Sequence, residues 1–185
     1  ASTKAFTAQL SVLLSMAIHL ATLKKSITID DNKKICKEAM LATQLLEQAI
    51  ERSYALKNVA KNITKAKGVM YLGRGTSFPL ALEGALKFKE ISYIHAEGYP
   101  AGEMKHGPLA LIEKNLPVVC IVPPGPLFHK TISNIQEVIA RGGKILMITD
   151  DETLESNSEN IWEIFRLPKC PKSVSYTHLT LPTTR

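Results

Sequence analysis

The chain has 185 residues, of which 45% are hydrophobic and 22% are charged, a composition that allows a globular domain with a real core. The net charge of +6 is spread out, with no Lys/Arg stripe interleaved with aromatic residues, which argues against a nucleic-acid-binding protein. The three cysteines, Cys36, Cys120 and Cys170, form no CxxC or CxxH cluster, so we expect no disulfide framework and a reduced, cytoplasmic location.

The first predicted element is a long helix over residues 3–26, with Ser2 or Thr3 as its cap. Its apolar core, residues 5–23, is interrupted by polar side chains. We therefore expect a mostly buried helix and not a membrane span. Helices are next predicted over 31–52, capped by Asp30 or Asp31, and over 53–66.

Short apolar runs then alternate with helical patterns. We predict strands over 68–73, 116–124, 144–149 and 161–168, with helices over 80–94 and 127–141 between them. Alternation of this kind is typical of an α/β fold with a parallel sheet and crossover helices. Ligands of such sheets bind at the carboxyl ends of the strands.

The segment GRGTS, residues 73–77, follows the first predicted strand at such an end. Its glycines would let the backbone approach an anion, and Thr76 and Ser77 would offer hydroxyls at a helix start, which suits a phosphate. A tight strand-to-helix turn also needs glycine for steric reasons alone. The residues by themselves leave both interpretations open.

The helix that follows carries Glu83, Lys87 and Glu90 at the spacing i, i+4, i+7, which places them on one face. An exposed ladder of this type would contribute only about 0.2–0.5 kcal/mol per pair. Gly84 argues for more, because a glycine inside a helix costs about 1 kcal/mol relative to alanine. That cost indicates close backbone packing or the approach of a ligand.

The stretch HAEGYPAGEMKHGPLAL, residues 95–111, lies in an unusually long connection that we predict to be irregular over 94–115. Its glycines and prolines would fix the backbone and aim particular side chains. His106, inside KHGP, is the best candidate there for proton transfer, since the pKa of an imidazole lies near neutrality. No HxxxH or CxxC partner completes a ligand set, so we expect no metal site.

Three segments carry a close resemblance to a known family: STKAFTAQL, LGRGTSFPLALEGALKFKEISYIHAEGYPAGEMKHGPLALI and IQEVIARGGKI. They resemble the glutamine–fructose-6-phosphate aminotransferases (isomerizing), whose isomerase half contains two sugar-isomerase (SIS) domains. The resemblance implies an SIS-type, doubly wound parallel sheet with flanking helices. Residues 1–52 would be the end of the first SIS domain with its linker helices, and 53–173 a second SIS domain that is truncated at its C-terminus.

The family makes glucosamine 6-phosphate from fructose 6-phosphate and glutamine, without a cofactor. By the resemblance, Glu90 would move a proton between C1 and C2 of the sugar, a task that needs a carboxylate with a raised pKa. His106 would open the sugar ring of a site on the neighbouring subunit of a homodimer. Lys87 would assist proton transfer or hold the charge state of the glutamate. Glu83 would be an acidic neighbour, and Ser2 and Thr3 would contact the sugar.

In this family the sugar phosphate binds to loops of the first domain, so the resemblance favours the view that Thr76 and Ser77 form a vestigial turn. The glutaminase domain, those phosphate loops and the C-terminal Schiff-base lysine have no counterpart here, and we expect the chain to be inactive by itself. Residues 174–185, VSYTHLTLPTTR, resemble a translated sequencing adapter and are expected not to be native. Two alternatives are another SIS-family aminosugar-phosphate isomerase or deglycase, and an SIS sugar-phosphate sensor, although no DNA-binding helix-turn-helix is visible.

Overall fold

The structure is a computed structural model that describes residues 3–155, 158–169 and 171. Its helices are α1 (Thr3–Leu23), α2 (Ile29–Ser53), α3 (Lys57–Ile63), α4 (Ser77–Ser92) and α5 (Phe128–Ala140). Its strands are β1 (Gly68–Gly73), β2 (His95–Pro100), β3 (Pro117–Ile121), β4 (Lys144–Thr149) and β5 (Ile161–Arg166). Short 3₁₀ segments cover Tyr54–Leu56, Ala101–His106 and Pro108–Leu111. Ser2, Cys170 and residues 174–185 lie outside the described residues.

Helix α2 begins two residues earlier than predicted because Thr28, and not an aspartate, is its N-cap. The Thr28 hydroxyl accepts a hydrogen bond from the Asp31 amide (3.1 Å), and the Asp31 carboxylate accepts one from the Thr28 amide (3.0 Å). This reciprocal pair is a capping box, which satisfies two backbone N–H groups that a helix start leaves without partners. Asp31 is thus the second member of the cap and not the cap itself.

The prediction that α1 is mostly buried is wrong for the described chain. Val12, Leu13, Met16 and Leu20 are between 50% and 60% exposed. By length and composition alone, the stretch Lys4–Leu23 is apolar enough to cross a membrane. Its mean hydropathy is 1.6, and none of its residues is buried against the rest of the described chain. One such helix near the start of a chain is weak support for a span, because core helices and signal sequences have the same composition.

All five strands lie parallel in one sheet with the order β2-β1-β3-β4-β5. The predicted α/β fold with a parallel sheet is confirmed, and β1 and β4 have the predicted bounds. The prediction of an irregular backbone from residue 94 onward is wrong for β2, which pairs along its whole length with β1 as an edge strand. Only Ala96 of β2 is fully buried, so no apolar run indicated this strand.

Side chains alternate between the two faces of the sheet and build two separate apolar cores. On one face, Val69 and Val119 pack with Ala81 and Ala85 of α4. On the other face, buried residues of β1, β3 and β4 pack with α5 and with the segment after β2, and these include Leu72, Val118, Ile145, Val138 and Met104. Helices therefore cover both faces, as a doubly wound sheet requires.

Candidate functional site

The predicted ladder on α4 exists and centres on Lys87. The Lys87 ammonium lies 3.0 Å from Glu90 Oε2 and 3.6 Å from Glu83 Oε1. The side chains of Lys87 and Glu83 are only 11% and 17% exposed, while that of Glu90 is 39% exposed. An exposed surface ladder is therefore the wrong description for the inner two residues, and Glu90 is the member that meets solvent.

The charges of this ladder stabilise the protonated lysine. The hydrogen bond that Lys87 donates to Glu90 raises the pKa of the ammonium, and the negative charge of Glu83 acts in the same direction. Lys87 therefore stays positively charged at neutral pH. A cation next to Glu90 can hold the charge of this carboxylate and stabilise a neighbouring anion.

Two close backbone approaches hold α4 against the sheet. A Cβ on Gly84 would lie 3.1 Å from the Tyr71 ring, which confirms the close packing that a glycine inside this helix indicated. A Cβ on Gly98 of β2 would lie 2.9 Å from the Leu82 backbone. Since both glycines are within contact distance of their partners, α4 and its ladder are fixed relative to β1 and β2.

An open cavity of about 330 Å³ lies beside the ladder, between α3, α4 and the sheet. Its lining is mainly apolar and includes Phe6, Leu56 and Tyr71, with Glu83 and Lys87 as charged members. Burial raises the pKa of the Tyr71 hydroxyl, so this group stays protonated. The apolar lining does not match a hydrophilic sugar phosphate, which leaves the solvent-facing side of Glu90 as the polar part of the region.

His106 lies at the end of the 3₁₀ segment Ala101–His106, which we call the His106 turn. Its imidazole is 76% exposed, and Nε2 lies 4.0 Å from Glu103 Oε2 of the same turn. Ala101 and Met104 are buried in the α5-side core, so the turn is anchored while its last side chain projects outward. Gly107 follows with φ +146°, a backbone conformation that residues with side chains rarely adopt.

The chain places Glu90 and His106 on opposite faces of the sheet. Glu90 lies on α4, which packs against the face that carries Val69 and Val119. The His106 turn packs through Met104 against the other face, with α5. The two side chains that were predicted to act on one sugar are thus separated, within one chain, by the sheet itself.

The GRGTS segment lies where the strand order reverses, at the carboxyl ends of β1 and β3. A small pocket of about 150 Å³ forms there, lined in part by Arg74, Thr76, Ser77 and the prolines after β3. Arg74 is the residue that the sequence reading missed. Its Nη1 donates to Asn134 Oδ1 (3.0 Å), and its guanidinium lies so close to Gly102 that a Cβ there would come within 3.1 Å. An arginine between two glycines was the available signal.

For the two other predicted site residues, Ser2 and Thr3, the structure describes no side-chain position. Ser2 is outside the described residues, and Thr3 begins α1 without a described side chain. Within residues 3–155, 158–169 and 171, no group of three or more His, Cys, Asp or Glu side chains could hold a metal ion.

Comparison with known proteins gives a consistent assignment. The sequence matches the family described as SIS domain over residues 62–181. It is 48% identical over 169 residues to the glutamine–fructose-6-phosphate aminotransferase (isomerizing) of Zymomonas mobilis, covering 91% of this chain and 28% of that protein. It is 52% identical over 155 residues to the enzyme of the same name from Bradyrhizobium diazoefficiens, covering 84% of this chain and 26% of that protein.

Among solved structures, the chain is similar to the C-terminal domain of glucosamine-fructose-6-phosphate aminotransferase from Francisella tularensis. The TM-score is 0.91 at 40% identity, covering 98% of this chain and 51% of that one. This chain therefore spans less than a third of the curated relatives named above, and about half of the solved domain.

Proposed function

Because the chain belongs to the SIS domain family, we propose that it forms part of the isomerase half of a glutamine–fructose-6-phosphate aminotransferase. The complete enzyme would convert fructose 6-phosphate to glucosamine 6-phosphate with ammonia from glutamine, which a glutaminase domain of the same polypeptide would supply. It would act as a cytoplasmic homodimer without a cofactor. The identity of 48–52% to enzymes of that name carries this proposal.

In the proposed reaction, Glu90 removes a proton from C1 of the sugar and returns it to C2. The exposed part of its carboxylate is accessible to a ligand, whereas its other contact is the Lys87 ammonium. The permanent charge of Lys87 would stabilise negative charge that develops on the sugar as the proton leaves. Glu83 would keep the lysine in place from the opposite side.

His106 would open the ring of the sugar that is bound by the partner subunit. Two observations support this assignment. The imidazole is exposed and lies on an anchored turn, which suits a group that is presented to another chain. The sheet separates His106 from Glu90 of its own chain, which favours a site that combines the two groups from two copies.

The proposal is tested in a full-length enzyme, called the chimeric enzyme below, in which residues 1–173 of this chain replace the matching segment of the Zymomonas mobilis aminotransferase. We expect the chimeric enzyme to form glucosamine 6-phosphate from fructose 6-phosphate and glutamine. We expect Glu90→Gln to bind fructose 6-phosphate with unchanged affinity in calorimetric titrations and to lose roughly 10²–10⁴-fold in kcat. A folded chimeric enzyme without activity, or a Glu90→Gln variant with normal turnover, would contradict the proposal.

The shared site is tested by mixing two inactive variants of the chimeric enzyme, Glu90→Gln and His106→Ala. Random exchange of subunits would restore roughly a quarter of the sites, because half of the dimers would be mixed and each would hold one intact pair. The matched control mixes Glu90→Gln with Lys87→Met. Both of those residues lie on one helix of one chain, so no intact site can form. Equal activity in both mixtures would exclude the shared site.

A further inference from the structure

We propose that Glu137 of α5 is a positioning residue that fixes the His106 turn through Lys105. The proposal rests on the role of His106 given above and adds the group that aims its imidazole. Glu137 lies outside the ladder and outside the turn, far along the sequence from both.

The contact that carries this inference is a single ion pair. The Lys105 ammonium lies 3.0 Å from Glu137 Oε1 and joins the turn to α5. The Glu137 side chain is only 24% exposed, while that of Lys105 is 66% exposed. The lysine thus reaches from the surface to a carboxylate that is largely buried on the neighbouring helix.

The second oxygen of the Glu137 carboxylate shows how strongly this side chain depends on Lys105. Glu137 Oε2 is buried and has no hydrogen-bond partner among the described residues. A largely buried carboxylate favours a cation beside it, and Lys105 is the cation that reaches Glu137. No other charged group in the described part of the chain is within ion-pair distance of Glu137.

Lys105 is the residue directly before His106, and Gly107 with φ +146° comes directly after it. The turn is thus held on one side by the ion pair and bent on the other by a conformation that glycine tolerates. Met104, fully buried, fixes its underside. With both neighbours restrained, the backbone position from which the His106 side chain projects is fixed. A misplacement of about 1 Å at a reacting group can cost about 100-fold in rate.

The test separates ring opening from the later steps by a second substrate. 5-Deoxyfructose 6-phosphate has no 5-hydroxyl group, so it cannot close to a furanose and needs no ring opening. In the chimeric enzyme we expect Glu137→Gln, which keeps the shape of the side chain, to lower kcat for fructose 6-phosphate roughly 10- to 100-fold with little change in KM. Its turnover of the 5-deoxy compound should match that of the control variant Glu113→Gln, which changes an exposed glutamate between the His106 turn and β3.

Lys105→Met gives a second measurement that does not depend on folding of the Glu137 variant, because that lysine is mostly exposed. It should show the same selective loss. Equal losses with both substrates would mean that the pair only stabilises the fold, and no loss with either would remove Glu137 from the mechanism.

The His106→Ala variant separates the two proposals. If it turns over fructose 6-phosphate normally, the role of His106 itself is wrong; if only His106→Ala shows the selective loss, the inference about Glu137 is wrong.

Discussion

Gly73→Ala provides the sharpest test of how β1 and α4 are joined. Gly73 ends β1, and the chain turns into α4 four residues later. A Cβ at this position would lie 2.1 Å from the Ser77 carbonyl oxygen, 2.5 Å from its carbon and 2.8 Å from the Phe78 nitrogen. All three are backbone atoms of the first turn of α4, so no side-chain rotation can relieve the overlap.

The magnitude follows from the distance that must be gained. Real Cβ contacts essentially never fall below 3.0 Å, so the start of α4 has to move by about 0.9 Å. Forcing an extra methyl group into a packed site costs typically about 1–3 kcal/mol, and a clash with backbone atoms belongs at the upper end. Gly73 does not have a positive φ, so the expected loss is steric alone.

The matched control is Gly68→Ala at the other end of the same strand. There a Cβ would lie 3.4 Å from the His95 carbonyl oxygen, and the backbone again has no positive φ. Replacing glycine by alanine at such a position changes stability by about 1 kcal/mol or less, through the unfolded chain. Urea unfolding followed by circular dichroism measures both variants. Equal free energies of unfolding for the two would refute the reasoning.

Three further changes test other parts of the structure. Thr28→Ala should lower the free energy of unfolding by about 1 kcal/mol, because it removes the N-cap of α2; an unchanged urea midpoint would count against the capping box. Pairing with Glu90 and Glu83 raises the pKa of Lys87 in the folded state above its unfolded value of 10.5. The ion pairs therefore stabilise the fold fully below pH 10.5, and this stabilisation is lost as the pH rises through the higher folded-state pKa. The difference in unfolding free energy between wild type and Lys87→Met should shrink from pH 8 to pH 11. Burial raises the pKa of the Cys120 thiol, so in a variant with Cys36→Ser and Cys170→Ser a thiol reagent should react only after urea is added, and rapid reaction of the native variant would contradict that burial.

Four of the five strands were predicted, including the edge strand β5, but the two whose predicted bounds agree with the structure lie inside the sheet. Residues of β1 and β4 form continuous apolar runs bounded by glycine or a turn, and their bounds agree with the structure. The edge strand β2 was missed because HAEGYP contains no apolar run, and its Gly98 and Pro100 are residues typical of turns. Its strand character comes from hydrogen bonds to β1, a long-range contact that no local pattern contains.

The same distinction applies to the candidate site. Helical periodicity alone places Glu83, Lys87 and Glu90 on one face, and the ion pairs follow from that spacing. The link between Lys105 and Glu137 joins residues from separate elements, so only the folded chain reveals it. Arg74 and Asn134 form a second link of this type at the other end of the turn. The ladder and its ion pairs could be predicted from helical spacing, whereas the contacts between separate elements could not.

Glu90 and His106 lie near each other in the sequence, but the fold separates them. Strand β2 lies between them, and the chain leaves α4 on one face of the sheet and continues into the His106 turn on the other. Right-handed crossovers in opposite directions from β1 and β2 dictate this outcome for the strand order β2-β1-β3. Under the proposed function, a second copy of the chain would bring the two groups to one sugar. The exposed imidazole on its restrained turn is the part of this copy that is available to be shared.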